Sequence, residues 1–267
     1  MKYVYPKFDG IDLIFFRIGG SGLGNLLYPF FRSLVYSKKE NLEIISPTFQ
    51  SLKIGPYLRN EKQKRSYRYN YKDSISGFKK LILLLFNSNI KYVKGFDDGF
   101  NSLYGFEKIL KKEFKSLIKE EINLTKYKNA ICCHIRMGDF KISKDGSINN
   151  NTRIPLNWYI DVINNLRKKD KEIKVFIFSD AKKEELRILS EIKNIKIETS
   201  NDPAIDILKL SSSKILIGSY SSFSFWSAFF SKGKCIWHEN IYNTSEFPLN
   251  TNNYIFDSKK STIIKKN

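Results

Sequence analysis

The second half of the chain alternates short apolar runs with helical segments, and this alternation constrains the fold more than any other feature. Helical segments of about ten residues separate consecutive runs, and strands that alternate with such helices specify a parallel sheet covered on both faces. One helix begins at Asp202-Pro203, a capping residue with proline at the first helical position. The runs predicted as strands are Ala130–Ile135, Lys174–Phe178, Ile195–Thr199, Lys214–Gly218 and Lys234–Trp237.

The first half begins with a similar but less regular pattern. The continuous apolar run Ile11–Ile18, which two glycines follow, is predicted to be a buried parallel strand. A glycine-rich turn, a helix from Leu26 to Tyr36 and a strand over Leu42–Ile45 come next, and residues 46–127 are predicted to be mainly loops and helices. Two such halves predict an α/β protein of two Rossmann-like domains that face each other across a cleft. The predicted bounds are 1–127 and 128–255, followed by a basic tail over 256–267.

Composition limits the class of protein and its compartment. The longest apolar stretch, Leu81–Phe86, is far shorter than the roughly 20 residues of a membrane-spanning helix, and the N-terminus lacks the apolar core of an export signal. Cys132 and Cys133 are adjacent in a predicted strand, so their side chains point to opposite faces and no disulfide framework is expected. We therefore predict a cytoplasmic protein with buried, reduced cysteines.

The formal net charge of +19 leaves three interpretations open. Scattered lysines on the solvated faces of ordinary helices account for most of the charge without any binding function. The denser stretch Arg59–Lys72, in which tyrosines are interleaved, raises the alternative of a protein that binds single-stranded nucleic acid. The third interpretation is peripheral contact with an anionic inner membrane, where the segment Gly77–Phe86 lies in the interface rather than in the core.

Ligands of parallel α/β sheets bind beyond the carboxyl ends of the strands, and the first feature predicted to lie there is GGSGLGN, Gly19–Asn25. A dinucleotide fingerprint would need a third glycine where Asn25 stands, and the Lys-Ser/Thr of a P-loop is missing. What remains is a set of backbone amides at a helix start that are open to an anion or a sugar. A glycine turn that only needs positive φ is the alternative.

His134, Arg136 and Asp139 form the second feature, at the end of the run Ala130–Ile135. Alternation places His134 and Arg136 on the same side of the strand, and a guanidinium can fork two hydrogen bonds to a diphosphate. Asp139 follows closely enough to orient either side chain. The alternative is a structural Arg-Asp pair at a strand end.

The other two features are a serine-rich helix start and an acidic residue. Ser221, Ser222 and Phe223 follow the strand Lys214–Gly218, where hydroxyls and free helix-start amides make an anion cradle. An N-cap followed by core aromatic residues is the alternative. Asp206 lies in an otherwise apolar helix and is grouped with the strand end Ser179-Asp180, because a carboxylate beside a nucleotide can accept the N–H donors of guanine. A solvent-facing position is the alternative for Asp206.

Together these motifs resemble those of the bacterial α-1,2-fucosyltransferases, inverting glycosyltransferases of the GT-B kind. Three blocks carry the resemblance in the family's order: Gly20–Asn25 against G-G-L-G-N-Q, His134–Asp139 against H-x-R-R-G-D, and Ser221–Trp226 against S-S-F-S-W-W. The chain departs from these motifs at Leu26, Met137 and Phe225, which stand where the family has glutamine, a second arginine and tryptophan.

The resemblance implies an enzyme that moves L-fucose from GDP-fucose to a sugar hydroxyl in surface polysaccharide or O-antigen synthesis, without a metal or other cofactor. It implies that Arg136 holds the diphosphate and stabilises the departing GDP, while His134 and Asp139 order that loop. A glycan is the implied acceptor, a lipid-linked one is compatible with peripheral membrane contact, and nucleic acid is not a partner. Because Met137 removes a positive charge beside the sugar phosphate, a transferase that uses another nucleotide sugar is the alternative. The remaining implied contacts are the phosphates for Ser221, Ser222 and Phe223, guanine for Asp206, and the sugar for Gly24 and Asn25.

Overall fold

The computed structural model describes residues 1–54, 58, 66–96, 98–143, 152–199, 202–241, 247–249 and 252–266. The chain forms two compact units, Met1–Glu121 and Ile122–Asn267. The boundary between them thus lies six residues before the predicted one at residue 127. Residues 59–65 of the basic stretch and residues 144–151 of the polar loop after Lys141 lie outside the described residues.

Helices and strands alternate in both units. The strands are β1 (Tyr3–Pro6), β2 (Ile11–Asp12), β3 (Arg17–Ile18), β4 (Glu43–Ile44), β5 (Ser51–Leu52), β6 (Ile90–Val93), β7 (Ile131–Ile135), β8 (Val175–Ser179), β9 (Ile195–Glu198), β10 (Ile215–Ile217), β11 (Lys234–His238), β12 (Asn252–Asp257) and β13 (Thr262–Lys265). The α-helices are α1 (Leu23–Glu40), α2 (Gly77–Phe86), α3 (Glu107–Ser116), α4 (Leu156–Arg167), α5 (Arg187–Ser190), α6 (Pro203–Leu210) and α7 (Ser222–Phe229).

The second unit is built on a seven-stranded sheet in the order β13-β12-β11-β10-β7-β8-β9. The strands from β7 to β12 are mutually parallel, and only the edge strand β13 is antiparallel. The chain runs outward from β7 through β8 to β9, returns to β10 on the other side of β7, and continues outward to β12. This is the strand order of the doubly wound dinucleotide-binding fold, and its switch point lies between β7 and β10.

The central strand β7 forms where the sequence predicts it. All five of its residues are buried, because a parallel strand covered on both faces needs apolar side chains on each. Helix α6 starts at Asp202, whose side chain accepts a hydrogen bond from Ala204 N, with Pro203 at the first helical position. These elements confirm the predicted α/β class with a large parallel sheet; the facing of two domains across a cleft stays a prediction. Strand β13 forms within the segment predicted as a basic tail.

The first unit contains a three-stranded parallel sheet, β4-β1-β6, and a smaller sheet, β2-β3-β5. The long helix α1 packs against β1 and contributes eight buried apolar residues to the unit: Leu23, Leu26, Leu27, Tyr28, Phe30, Phe31, Leu34 and Val35. It ends at Asn41, which adopts a left-handed conformation with φ 51° and donates its N–H to Ser37 O. The predicted helix and the strand after it are confirmed, whereas β1 and β6 fall where the sequence predicts none.

The predicted strand Ile11–Ile18 is wrong, because these residues form a short antiparallel hairpin. The turn is built on Asp12, whose Oδ1 accepts a hydrogen bond from Ile14 N at 2.9 Å, and Ile14 has a φ of 69°. A carboxylate that bonds the amide two residues further on replaces strand pairing with a turn. As a result Ile11 and Phe15 are exposed rather than buried.

Helix α2 is unusual in facing solvent with apolar side chains. It buries Lys80 and Leu83 against the sheet, whereas Phe78 and Phe86 are 74% and 81% exposed. Spacings of three and four residues place these exposed side chains, with Ile82 and Leu85, along one stripe of the helix. Among the described residues, no helix combines the length and the apolar character that crossing a membrane requires.

Candidate active site

The candidate site lies at the switch point of the second unit, where the carboxyl ends of β7 and β10 diverge. Helices on opposite sides of the sheet leave a crevice at such a point, and ligands of doubly wound sheets bind there. His134 and Arg136 are at the end of β7, and Ser221 follows β10. The topology therefore brings two of the predicted motifs to one edge of the sheet.

Arg136 is held between two carboxylates. Its Nη2 donates to Asp139 Oδ1 and its Nη1 donates to Asp180 Oδ2, and the side chain remains 21% exposed. The guanidinium also lies over the ring of Phe140, 5.2 Å from its centroid. A guanidinium has five N–H donors. Two of them bond these carboxylates, and the other three have no partner among the described residues and are available to a ligand. Charge and spare donors together suit an anionic group with several oxygens.

Asp180, a candidate carboxylate at the end of a predicted strand, is bonded to Arg136, a pairing that the sequence analysis did not predict. It follows β8, which pairs with β7, so the two strand ends are neighbours. Its Oδ1 accepts hydrogen bonds from Met137 N at 2.8 Å and Gly138 N at 3.2 Å. A Cβ at Gly138 would lie 2.3 Å from Asp180 Oδ2, so glycine leaves room for this carboxylate. Asp180 thus fixes both the loop after β7 and the guanidinium above it.

His134 joins the end of β7 to the start of α7. Its Nδ1 lies 2.6 Å from Ser224 Oγ and 3.1 Å from Ser219 Oγ, and its ring packs 4.7 Å from that of Phe223. Burial lowers the pKa of His134 well below its ordinary value, opposed by the nearby Asp180 carboxylate and reinforced by Arg136. The imidazole is therefore neutral at physiological pH.

The start of α7 carries the serine motif. Ser221 is the N-cap, and its Oγ accepts a hydrogen bond from Phe223 N at 3.2 Å. Ser221, Ser222 and Phe223 are half-buried, while the residues after them are buried. Both alternatives raised by the sequence are thus present in one segment: a capping serine with core aromatic residues behind it, and an accessible helix start beside His134. The positive end of the helix dipole favours negative charge at that place.

Asp206 belongs to a different group of charges. Its Oδ1 lies 3.8 Å from Lys209 Nζ, which in turn lies 3.7 Å from Glu198 Oε2. Tyr127 donates its hydroxyl to Glu198 Oε2 at 2.9 Å. Burial raises the pKa of this phenol, and the carboxylates of Glu198 and Asp206 raise it further. The structure therefore gives Asp206 a neighbourhood on α6 and β9, distinct from the carboxylates around Arg136.

Gly24 and Asn25 lie in the first unit, in the first turn of α1. Gly24 is buried and Asn25 is half-buried, and Asn25 N donates to Gly22 O at 3.2 Å. The turn before them needs positive φ at Gly19 and Gly20, with φ of 77° and 90°. The glycine-turn alternative is therefore part of the explanation for this motif, and the predicted sugar contact stays a prediction.

The same turn rests on a fully buried arginine. Arg17 donates from Nε to Thr48 O at 2.7 Å and from Nη1 to Asp9 O at 2.6 Å. A Cβ at Gly20 would lie 2.5 Å from both Arg17 Nη1 and Asp9 O. Sequence reasoning assigned no role to Arg17; its position next to the two glycines was the available signal.

Metal-ligating side chains do not cluster in the described residues: no group of three His, Cys, Asp or Glu side chains there could hold an ion. The carboxylates beside Arg136 are instead bonded to a guanidinium and to backbone amides. The expectation of a reaction without metal stays a prediction.

Comparison with known proteins identifies the family of this α/β protein. The model of glycosyl transferase family 11 matches residues 31–258, most of the chain. The chain therefore belongs to glycosyl transferase family 11, a family of glycosyltransferases. This membership confirms the resemblance read from the three motifs.

One curated relative shares part of the chain. An α-1,2-colitosyltransferase of Escherichia coli is 30% identical over 114 residues, which are 41% of this chain and 39% of that protein. The match thus spans well under two thirds of the length of that relative.

Several solved structures are similar to the chain at low sequence identity. A GDP complex of POFUT1 is 11% identical with a TM-score of 0.46, covering 88% of this chain and 98% of that chain. The α-1,6-fucosyltransferase NodZ soaked with GDP-fucose is 10% identical with a TM-score of 0.46, covering 100% and 99%. The E. coli heptosyltransferase WaaC with ADP is 9% identical with a TM-score of 0.45, covering 93% and 90%.

Proposed function

We propose that this chain is an inverting glycosyltransferase that moves L-fucose from GDP-fucose to a hydroxyl of a glycan acceptor, as an α-1,2-fucosyltransferase does. Family membership supports the transferase class. The observation that carries the proposal is Arg136, a half-buried guanidinium at the switch point with donors to spare, two residues after His134, which contacts the first turn of α7. Charge of this kind suits a nucleoside diphosphate group.

In the proposed reaction, the bond between the anomeric carbon and the diphosphate oxygen breaks as an acceptor hydroxyl attacks from the opposite face. Negative charge grows on the departing diphosphate, and Arg136 and the amides at the start of α7 stabilise it. Loss of one such contact commonly lowers turnover by roughly 100-fold or more. The proton of the acceptor hydroxyl passes to a general base, for which Asp139 is the candidate beside the site, although its bond to Arg136 also suits an orienting role.

The finer contacts of the donor are part of the same proposal. Ser221, Ser222 and Phe223 contact the phosphates, Asp206 reads the guanine, and Gly24 with Asn25 approaches the sugar. No metal or cofactor takes part. Support for the phosphate contacts is the packing of Phe223 on His134, 4.7 Å between ring centroids.

A thermal-shift panel of GDP, UDP, CDP and NAD tests the nucleotide class without knowledge of the acceptor. We expect GDP alone to raise the melting temperature, because ligands that bind only the folded state stabilise it. Stabilisation by UDP and not by GDP would overturn the donor. Transfer from GDP-fucose to galactosides, followed by NMR of the anomeric proton, then tests the sugar and the α-1,2 linkage.

A second donor is favoured by one specific observation. The segment matched by the colitosyltransferase supports colitose, which is fucose lacking one ring hydroxyl, as the moving sugar. Met137, buried beside Arg136, supplies no charge or hydrogen-bond donor to such a hydroxyl. Turnover of GDP-colitose and GDP-fucose under identical conditions separates the two donors: a preference for colitose would replace fucose in the proposal.

We also propose peripheral contact with an anionic membrane, which suits a lipid-linked acceptor. The exposed stripe of α2 and the net charge of +19 support it. Flotation with phosphatidylglycerol vesicles should carry the protein upward, and Phe78→Ser with Phe86→Ser should abolish this. Ile188→Ser, at an exposed position of the second unit, is the matched control. Equal flotation of all three proteins would refute the contact.

A further inference from the structure

His134, Ser219 and Ser224 form a closed hydrogen-bond cluster behind the candidate site. Ser219 and Ser224 are 2% and 0% exposed, and His134 is 6% exposed. Besides the two contacts to His134 Nδ1, Ser219 N donates to Ser224 Oγ at 3.0 Å, and the two hydroxyl oxygens are 3.3 Å apart. Buried hydroxyl protons need acceptors, so the cluster restricts where the imidazole proton can be.

Within the described residues, every hydroxyl donor of the cluster finds an acceptor only when Nδ1 carries no proton. If Nδ1 carried a proton, it would donate to Ser224 Oγ, Ser224 would donate to Ser219 Oγ, and the Ser219 hydroxyl proton would have no acceptor. If Nδ1 is bare, one serine hydroxyl donates to the other and the second donates to Nδ1, in either order, and no donor is left over. The same count excludes an imidazolium, because that cation also carries a proton on Nδ1.

We infer that Ser219 and Ser224 are positioning residues that hold His134 as a neutral imidazole with its proton on Nε2, so that Nε2 donates to the diphosphate of the bound nucleotide sugar. The inference rests on the proposed function for its ligand and on the cluster for the tautomer. Nε2 has no hydrogen-bond partner in the described part of the chain, and the ring is two residues before Arg136 on the same strand end. A neutral donor adds a directed hydrogen bond where Arg136 supplies the charge.

The composition of the chain makes the tautomer directly measurable. Only two histidines occur, His134 and His238. Asn240 N donates to His238 Nδ1 at 3.3 Å, so His238 is an internal reference for the same tautomer outside the cluster. In protein labelled with ¹⁵N-histidine, long-range ¹H–¹⁵N spectra at pH 7 should show Nε2–H and bare Nδ1 for both rings, with His134→Gln assigning the signals.

Removal of the cluster should release the tautomer of His134 alone. In Ser219→Ala with Ser224→Ala, we expect a population with Nδ1–H to appear for His134 and no change for His238. The Kd of GDP should rise by the reciprocal of the remaining Nε2–H fraction, about twofold where half of the rings carry Nδ1–H. Ser227→Ala is the matched control, because Ser227 is buried in the same helix and donates only to Phe223 O at 2.9 Å. It should leave both the spectrum and the Kd unchanged.

A pair of amide substitutions keeps the inference testable if the double variant does not fold. His134→Gln places an amide N–H near the position of Nε2, whereas His134→Asn places one near Nδ1. We expect His134→Gln to bind GDP within about threefold of the unsubstituted protein and His134→Asn to bind roughly tenfold more weakly. An Nδ1–H or cationic His134, or equal GDP affinity of both amide variants, would overturn the inference. If the unsubstituted protein binds no GDP, the proposed function fails, and the spectrum still decides the tautomer.

Discussion

Two arginines of this protein follow apolar runs and precede glycines, yet their surroundings differ. Arg17, in the first unit, is fully buried and donates to two backbone carbonyls, Thr48 O and Asp9 O. Arg136, in the second unit, is 21% exposed and donates to two side-chain carboxylates, Asp139 and Asp180. Backbone carbonyls stay where the fold puts them, whereas side chains can rearrange around a ligand. The difference separates an arginine that holds a turn from one that can hold a substrate.

The largest expected difference between the two arginines is in turnover. Arg136→Ala should lower turnover by at least roughly 100-fold, because the departing diphosphate loses its cation. Its melting temperature should stay near that of the unsubstituted protein, since a partly exposed ion pair contributes little to stability. Arg187→Ala, which removes an arginine from a surface pair with Glu191, is the control and should keep full turnover. Near-normal transfer by Arg136→Ala would refute the assignment.

The second prediction concerns stability. Arg17→Met should lower the free energy of unfolding by about 2 kcal/mol, because Thr48 O, which is buried, and Asp9 O both lose a charged donor. Urea denaturation at pH 7 of Arg17→Met and Arg136→Ala side by side measures the contrast. If the two variants unfold at the same urea concentration, the distinction between structural and ligand-binding arginines does not hold.

Two glycines next to these arginines sharpen the comparison. Gly20→Ala places a Cβ 2.5 Å from Asp9 O at a φ of 90°, so we expect a loss of about 1 to 2 kcal/mol in unfolding free energy. Gly138→Ala instead meets the Asp180 carboxylate at 2.3 Å, a side chain that can move away from Arg136. That variant should lose GDP affinity several-fold with little change in stability. The reverse pattern, by calorimetry and denaturation, would show that the roles are exchanged.

The smallest predicted effect is a pH dependence in the first unit. Burial lowers the pKa of Lys80 from 10.5 to about 8, against the opposing effect of Asp12. Since the unfolded chain then binds the proton more tightly, protonation destabilises the fold, and stability rises with pH through the folded pKa. The unfolding free energy of the unsubstituted protein minus that of Lys80→Met should rise by about 1 kcal/mol from pH 7 to pH 9. The three buried cysteines are present in both proteins, so their pH-dependent contribution to the unfolding free energy cancels in this difference.

A flat difference over that range would mean that Lys80 keeps an ordinary pKa. In that case the hydrogen bond from Lys80 Nζ to Thr48 Oγ1, at 2.9 Å, would not make the unfolding free energy depend on pH in this range.

The sequence predicts the second unit better than the first for a physical reason. A strand buried on both faces, such as β7, reads as a continuous apolar run, and capping residues mark the starts of two of the helices, at Asp202 and Ser221. The run Ile11–Ile18 is also mainly apolar, but Asp12 bonds the amide of Ile14 and turns the chain. An aspartate inside an apolar run was the signal for that turn, and β1, with four residues, was too short to stand out.

The sequence predicts those site residues that lie at the ends of predicted strands, but not the contacts between them. Placement of His134, Arg136 and Ser221 at one edge follows from their positions after predicted strands. The pairing of Asp180 with Arg136 and of Ser219 with His134 depends on which strands are neighbours, and that is a property of the sheet order rather than of any local pattern. Asp206 illustrates the limit, because its helix is predicted correctly and its charged neighbours are not.

Calorimetric titration of GDP, GMP and guanosine into the unsubstituted protein and Arg136→Ala tests most directly whether Arg136 is the diphosphate site. The comparison isolates what the arginine contributes to the phosphates from what the nucleoside contributes elsewhere. We predict that GDP binds the unsubstituted protein at least roughly tenfold more tightly than guanosine, and that Arg136→Ala removes this advantage while guanosine affinity stays the same. An unchanged ratio of GDP to guanosine affinity in Arg136→Ala would contradict the account.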